Sequence, residues 1–507
     1  VARWDVVVVG AGSAGGVVAA RLSEDPDRRV LLLEAGPDFP AEAEELPLFA
    51  VSGEHSWLVS GVPEFDWGYR NEPLPSGRRP RLPRGKLVGG SSMVNSTIAV
   101  RGVPQDYDRW AAAGATGWAW RDLLPVFRRI ERDLDFPDSP LHGADGPIVV
   151  RRWQPAEWSA VNRTFVEAAL GLGYAAAADL NDEASHAGVV GPWPHNRYRE
   201  VRLGTLVTYL RAARPRPNLT IRGGALVDRV RFAGDRAIGV RVIGADGPFE
   251  AEADLVVLAA GVYGTPAILQ RSGVGRAAHL RPLGIPQVAE LPVGEHLLDH
   301  PACAFPFVAP GLSGATGRLL ATNLRGPAAD GAAPAWQAHP MPIDEAAGSA
   351  GVFVFLCHPE SEGTMRIRSA DPTAAPAIDH NYLAAPADLA AFGEAWAVVA
   401  ELLAAPAFAA HRPRPLDGVA DYLAWLPRHV ATAQHQSSSC RMGAVGDRQA
   451  VVDPTLAVQG LRGVMVADAS VFPGNLSHNT NLTCCVIGEM AAVFASGGQR
   501  PAIEKHD

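Results

Sequence analysis

The sequence predicts an α/β protein: a parallel sheet flanked by helices, joined to a second layer of antiparallel strands and helices. Three observations predict it. The chain opens on an apolar strand, a glycine-rich turn and a helix. Strands of the same buried kind return near residues 255 and 464. Between the returns lie shorter strands and helices without that pattern. The opening domain is therefore expected to be discontinuous, in pieces 1–150, 205–302 and 440–507. The second domain takes 151–204 and 303–439.

The first element is Val6-Val7-Val8-Val9, four valines in a row, as in a parallel strand buried on both faces. Gly10-Ala11-Gly12-Ser13-Ala14-Gly15 follows at once in the spacing G-x-G-x-x-G. Gly10 permits the tight turn, Gly12 lets backbone approach a pyrophosphate, and Gly15 lets helix and strand pack closely. The helix from Val17 to Leu22 then offers free N–H groups and partial positive charge to phosphates. A second strand, Arg29–Leu33, ends in Glu34, which lies 19 residues after Gly15. An acid there holds a ribose hydroxyl and repels a 2′-phosphate. Strand, loop, helix, strand and acid in this order define a Rossmann-like dinucleotide site. They do not by themselves separate FAD from NAD.

Residues 37–83 read as an irregular excursion rich in Pro, Gly, Glu and aromatics. The cluster Gly89-Gly90-Ser91-Ser92-Met93-Val94-Asn95 then suggests a second close approach of backbone to ligand. An amphipathic helix is expected at Leu123–Ile130, and the turn His142–Pro147 feeds the strand Ile148–Val150. A helical region follows near Val161–Leu172. The strands Leu219–Arg222, Ala225–Phe232 and Ile238–Ile243 suit an antiparallel meander. Leu255–Leu258 returns to the parallel sheet. From 303 to 435 Ala, Pro and Gly rise, with strands at Gly351–Leu356 and Thr364–Ile367 and a helix at Asp388–Leu403. The chain closes on a buried strand in Gly463–Ser470 that ends in the acid Asp468, the polar cluster Ser477–Asn481 and a small-residue helix, Leu482–Phe494, with Glu489 inside it.

Composition bounds the function. The 507 residues suffice for two or three domains, and charged residues at 20% with 47% hydrophobic ones describe an ordinary globule. A net charge of −9 without long runs argues against nucleic acid or an anionic membrane as partner. The five cysteines form no C-x-x-C pair and no zinc spacing, so no metal is expected and packing thiols in a reducing compartment are the default. With a strand starting almost at residue 1, no signal peptide is expected, and no apolar run reaches transmembrane length. Together these predict a cytoplasmic protein.

Six ordered segments resemble the glucose–methanol–choline (GMC) flavoprotein oxidoreductases. They are GAGSAGG with LLLEAGP, GKLVGGSSMVNSTIAVRGVPQDYDRW, AAGVYGTPAILQRSGVG, VGEHLLDHP, HQSSSCRMG and VADASVFPGNLSHNTNLTCCVIGE. The flavour is similar to bacterial choline-oxidase-like and hydroxymethylfurfural-oxidase-like members. RPNLTI and HGADGP are also similar to the mycofactocin-associated branch. The resemblance implies FAD, with Glu34 and Ala35 at the adenosine ribose and Gly10, Gly12, Ser13, Ala14 and Gly15 at the pyrophosphate. It implies Gly90, Ser91, Ser92 and Asn95 along the flavin side, and Val227 against the adenine. Ala260 and Asp468 would lie near the ribityl–pyrophosphate region, with Thr480 and Asn481 at the isoalloxazine. Some choline-oxidase-like members attach FAD through a histidine of the Gly-Gly-Ser loop. Val94 stands at that position here, so non-covalent FAD is expected.

Oxidising an alcohol removes a proton from oxygen and a hydride from carbon. Neutral histidine suits the first task near pH 7. The resemblance makes His435, which opens HQSSSCRMG, the base that works beside flavin N5. It makes Asn479 the partner that holds the substrate oxygen, eleven residues after Asp468. A one-residue shift would give His478 that role instead. Cys440, Cys484 and Cys485 read as packing, and Ser437–Ser439 lacks the elbow of a serine hydrolase. Trp336, His339 and Phe355 are candidate pocket walls, and Asp344 and Glu345 could attract a cation. The expected partners are a small alcohol and, as electron acceptor, O2 or a redox carrier. A mycofactocin-type dehydrogenase or an FAD-containing hydroxynitrile lyase is the alternative reading.

Overall fold

The computed structural model describes residues 3–39, 62–198, 201–312, 317–318, 320–327, 333–344, 348–416, 418–419 and 421–498. Two sheets carry the architecture. The first runs Leu219–Arg222, Val30–Leu33, Arg3–Val9, Gly247–Leu258, Arg236–Gly244, Leu226–Ala233. Val6–Val9 pairs in parallel with Val30–Leu33 on one side and Leu255–Leu258 on the other, which explains its unbroken valines. Strand Gly247–Leu258 serves two neighbours on one edge. Its first half is antiparallel to Arg236–Gly244, and its last residues are parallel to Val464–Val466.

Leu219–Arg222 departs from the expected meander and instead extends the parallel sheet beside Val30–Leu33. Asn218 supplies the cause. Its amide donates to the carbonyls of Ser23, Asp25 and Arg28 at 3.1, 2.8 and 2.9 Å, and its own carbonyl accepts from Val30 N–H. That side chain seats the strand against the loop preceding Val30. The hairpin Leu226–Ala233 with Arg236–Gly244 is antiparallel as expected.

The closing helix, Asn481–Ala495, lies across the first helix, Gly15–Leu22. Gly488 permits the contact, since a Cβ there would stand 2.7 Å from the Ala14 carbonyl oxygen. Glu489 is buried in this apolar helix because three distant segments satisfy it. Arg21 and Arg129 pair with its carboxylate at 3.0 Å, and Tyr209 donates to Oε1 at 3.0 Å. A buried acid with such partners ties elements together; without them it would be strongly destabilising.

The second sheet runs Arg414–Pro415, Pro301–Val308, Ser349–Leu356, Trp336–Asp344, Thr322–Arg325, Val189–Pro192, Ala175–Ala176, and Ala431–Thr432 also pairs with Pro301–Val308. It is antiparallel except for the last pair on its path, Val189–Pro192 with Ala175–Ala176. Helices Ala160–Gly171 and Pro386–Ala404 cover it, with Phe165, Phe305, Phe307, Phe392 and Phe408 in one core. Among the described residues no helix is long and apolar enough to cross a membrane. All five cysteines are free and buried.

The HGADGP segment serves structure. His142 is buried among Glu131, Asp133 and Asp179, at 3.0, 3.1 and 2.8 Å. Arg101 pairs with Glu131, and Arg152 with Asp133 and Asp179. These three carboxylates are thus paired with two guanidiniums and a protonated imidazole, and Asp135 also reaches Arg152 at 3.4 Å. Burial alone would depress His142, but Asp133, Asp179 and Glu131 push it up to about 10. A raised pKa stabilises the fold fully below the unfolded value, and that stabilisation fades as pH rises through the folded value. His142→Asn should therefore cost about 3 kcal/mol near pH 6, the scale for breaking a buried pair. The gap in melting temperature between variant and wild type should narrow steadily between pH 6.5 and 10; a constant gap would mean that His142 is not charged.

Candidate active site

The site is built from loops at the ends of the first sheet. At Gly10, φ is +95°, and a Cβ would meet the Ala259 carbonyl oxygen at 2.5 Å. The Gly-Gly-Ser loop lies directly against this turn. Gly89 N–H donates to the Ala11 carbonyl at 2.8 Å, and Gly90, with φ +51°, would clash with Gly12 at 2.7 Å if it carried a Cβ. The two glycine clusters, some 80 residues apart in sequence, thus form one cradle of bare backbone.

Glu34 ends its strand buried beside that cradle. Its carboxylate accepts from Ala11 N–H at 3.0 Å and from Gly36 N–H at 2.9 Å. Burial raises its pKa, and these N–H groups partly offset the rise. Ala35 follows it at the turn. Val227 is buried in the edge strand opposite Val242. Neither helix N-terminus receives a side-chain cap: the N-caps are Ala14 and Thr480, and Ser13 Oγ donates to Asn481 Oδ1 at 2.8 Å. Uncapped N–H groups at both helix starts suit a phosphate or another electron-rich group.

Several expected contacts are spent within the protein. Ser92 Oγ donates to the Gly89 carbonyl at 2.6 Å and accepts from Thr205 N–H at 2.9 Å, so this hydroxyl shapes the loop. Ser91 Oγ accepts from Gly85 N–H at 3.2 Å. The Asn95 amide oxygen takes Thr97 N–H at 2.9 Å and Arg202 at 2.8 Å. Ala260 N–H goes to Thr265 Oγ1 at 3.0 Å. Asp468 is buried and accepts from Gly261 N–H, Thr265 Oγ1 and Ser470 N–H. It ties the start of the helix Gly261–Arg271 to its own turn at Ser470, at the end of the sheet.

His435 is placed by pairing. Leu298 and Ser437 form an antiparallel bridge, which sets residue 300 opposite residue 435. Asp299 accepts the His435 backbone N–H at 3.0 Å. Nδ1 of His435 lies 2.9 Å from Nδ1 of His300, and Nε2 of His300 lies 2.7 Å from the Leu476 carbonyl oxygen. His300 stacks on Phe355 with ring centres 5.5 Å apart, and His435 meets the same ring at 74°. Burial first, then His300, Arg84 and His339, hold His435 well below the usual histidine range. Burial and His358 lower His300 to about 3, against the carbonyls of Leu476 and Cys357. Both rings are neutral at rest. His300 stands in the VGEHLLDHP segment without a local signal of its role, because its partner lies 135 residues on.

The neighbours at the closing helix differ sharply. His478 is fully buried, and its Nδ1 meets the Gln337 amide, which also donates to the Ser477 carbonyl. Asn479 is half-buried, and its amide oxygen is buried without a partner among the described residues. Of the candidate walls, Phe355 touches His435, His339 lies near it, and Trp336 is buried in the second core. Glu345 and the Asp344 side chain lie outside the described residues.

The bare cradle, the buried acid at the strand end, the uncapped helix starts and the orphaned Asn479 oxygen fit an elongated dinucleotide. Comparison with known proteins gives the class. The family model "GMC oxidoreductase" matches residues 4–302 and again 359–488. The chain belongs to the GMC oxidoreductases, FAD-dependent enzymes that act on alcohol-type substrates. It is 34% identical to the oxygen-dependent choline dehydrogenase of Klebsiella pneumoniae subsp. pneumoniae, over 98% of this chain and 96% of that one. The protein of the same name from Escherichia coli O45:K1 is also 34% identical, over 98% and 95%. Among solved structures, pyridoxine 4-oxidase from Mesorbium loti superposes with a TM-score of 0.88 at 30% identity, over 97% of this chain and 98% of that one.

Proposed function

We propose that this protein oxidises an alcohol to the carbonyl compound, with His435 as the base that takes the hydroxyl proton and Asn479 as the group that holds the alcohol oxygen. The observation that carries the reading is a buried, neutral imidazole hydrogen-bonded through His300 to the backbone just ahead of Asn479. Neutrality is what a base requires, and exclusion of water strengthens its pull on a hydroxyl. Asn479 is favoured over His478 because it is only half-buried and its amide N–H can donate to the substrate oxygen, whereas His478 is fully buried with Nδ1 on Gln337, although His478 Nε2 is left without a partner as the Asn479 oxygen is. An amide works without titrating, so its hold on the oxygen does not change with pH.

FAD would lie along Gly10–Gly15 and Glu34, with Ala35 and Val227 beside its adenosine half and Ala260 near its pyrophosphate, and would accept the hydride. Gly90, Ser91, Thr480 and Asn481 would bound its other end. Ser92, Asn95 and Asp468 act in this reading by holding the walls rather than by touching the cofactor. Binding is non-covalent, because Val94 offers no nucleophile. Acid precipitation should leave a colourless pellet and a yellow supernatant; a yellow pellet would reverse the assignment.

The cofactor domain comprises 1–150, 205–302 and 440–507, and the substrate domain 151–204 and 303–439. Membership of the two sheets supports this division. Five free thiols support a cytoplasmic location. The named substrates of the relatives, choline and pyridoxine, both carry a CH2–OH group, which supports a primary alcohol. Dioxygen or a separate redox carrier, mycofactocin-type among them, takes the electrons. The experiment is anaerobic mixing with primary alcohols, secondary alcohols and glycosides. A substrate should bleach the visible flavin band stoichiometrically, and peroxide formed on readmitting air separates oxidase from dehydrogenase. If an alcohol is consumed without bleaching, the redox reading fails.

A further inference from the structure

A base that receives a proton inside a buried site must have its new charge stabilised. Among the described residues no carboxylate contacts the His435 ring. Asp299, which accepts its backbone N–H, is engaged on both oxygens, by His300 N–H and His435 N–H on one and by Tyr382 and Gln436 on the other. The ring partner is a second imidazole.

Protonation along this pair follows from one fixed point. The Leu476 carbonyl only accepts, so Nε2 of His300 carries a hydrogen and donates it. A neutral His300 then has a bare Nδ1. The 2.9 Å contact requires a proton between the two Nδ1 atoms, so His435 supplies it and is protonated at Nδ1. Nε2 of His435 is left bare, and it has no hydrogen-bond partner among the described residues.

We propose that His300 is a positioning residue that locks His435 as the Nδ1–H tautomer, makes Nε2 the basic atom, and carries part of the charge once the proton arrives. The inference rests on His435 as base. In the step, the substrate O–H bond breaks, its electron pair stays on oxygen, and an Nε2–H bond forms on His435. The Nδ1 proton of His435 can then shift to Nδ1 of His300. That leaves His435 neutral at Nδ1 and His300 an imidazolium still anchored on Leu476. Phe355, nearly parallel to His300 at 13°, offers its ring face to that cation in place of a carboxylate. Arg84, His339 and His358 approach from other elements and oppose the charge, so sharing it over two rings matters.

The test uses the holoenzyme with 15N-labelled histidine, its signals assigned with His435→Gln. Multiple-bond 1H–15N spectra should show His435 protonated at Nδ1 and bare at Nε2. Two variants extend the test. Gln in His300→Gln can accept from His435 and donate to Leu476, whereas Leu in His300→Leu can do neither. His300→Leu should lose at least 100-fold in kcat and show both tautomers of His435. His300→Gln should keep the Nδ1–H signal and lose about tenfold, less than the ~10²–10⁴ of a whole acid–base contribution. A His435 signal protonated at Nε2 in the wild type overturns the proposal without any variant. So does a His300→Leu enzyme as active as wild type when His435→Ala is inactive. Activity in His435→Ala would instead overturn the underlying choice of base.

Discussion

His435→Ala is expected to lower turnover by about 10²–10⁴-fold while the protein stays folded and yellow. The loss should fall on kcat and on the rate of anaerobic bleaching, because the ring acts on the hydroxyl proton rather than on cofactor binding. Removing it leaves His300 Nδ1 without its donor, at a cost of about 1–3 kcal/mol. A domain of this size tolerates that, so the flavin band and melting transition should persist. The wild-type pH profile bears on the same residue. Burial depresses His435, so the ring stays neutral, and activity should hold, below the ordinary histidine value of 6.5. A stopped-flow series across pH 5–8 checks this. Bleaching in His435→Ala at the wild-type rate would remove His435 from the mechanism.

Legibility varied with distance in the chain. Gly10, Gly12, Gly15 and Glu34 could be read directly, because one βαβ unit forces their geometry within about 30 residues. The parallel return at Leu255–Leu258 was also legible, and the last strand was legible as buried though not as parallel, since strands buried on both faces are apolar throughout. Leu219–Arg222 was not. Its apolar pattern permits a meander or a parallel edge, and the deciding contact is the Asn218 side chain on a loop about 190 residues earlier. Glu489 was visible as an odd acid in an apolar helix, yet Arg21, Arg129 and Tyr209 reach it from three separate segments. His300 is the sharpest case. No local period pairs residue 300 with 435; only the Leu298–Ser437 register does.

The same distinction between local and distant constraint governs the glycines, and it separates folding from cofactor binding. An added Cβ at Gly15 would stand 1.9 Å from the Gly10 carbonyl oxygen, so Gly15→Ala must part helix from strand. That variant should misfold or melt far below wild type. At Gly12 the nearest atom to such a Cβ is the Gly90 Cα, at 3.9 Å, an ordinary contact, so the protein alone has no objection to alanine there. The close approach that Gly12 permits is to the pyrophosphate. Gly12→Ala should therefore keep the wild-type circular dichroism spectrum and a cooperative melt, yet bind FAD at least tenfold more weakly, about 1.4 kcal/mol. Flavin content after gel filtration and titration of the apoprotein with FAD measure it. Wild-type FAD affinity in Gly12→Ala would mean that the pyrophosphate does not pass over the cradle formed by Gly12 and Gly90. The dinucleotide would then have to enter from another side of Glu34.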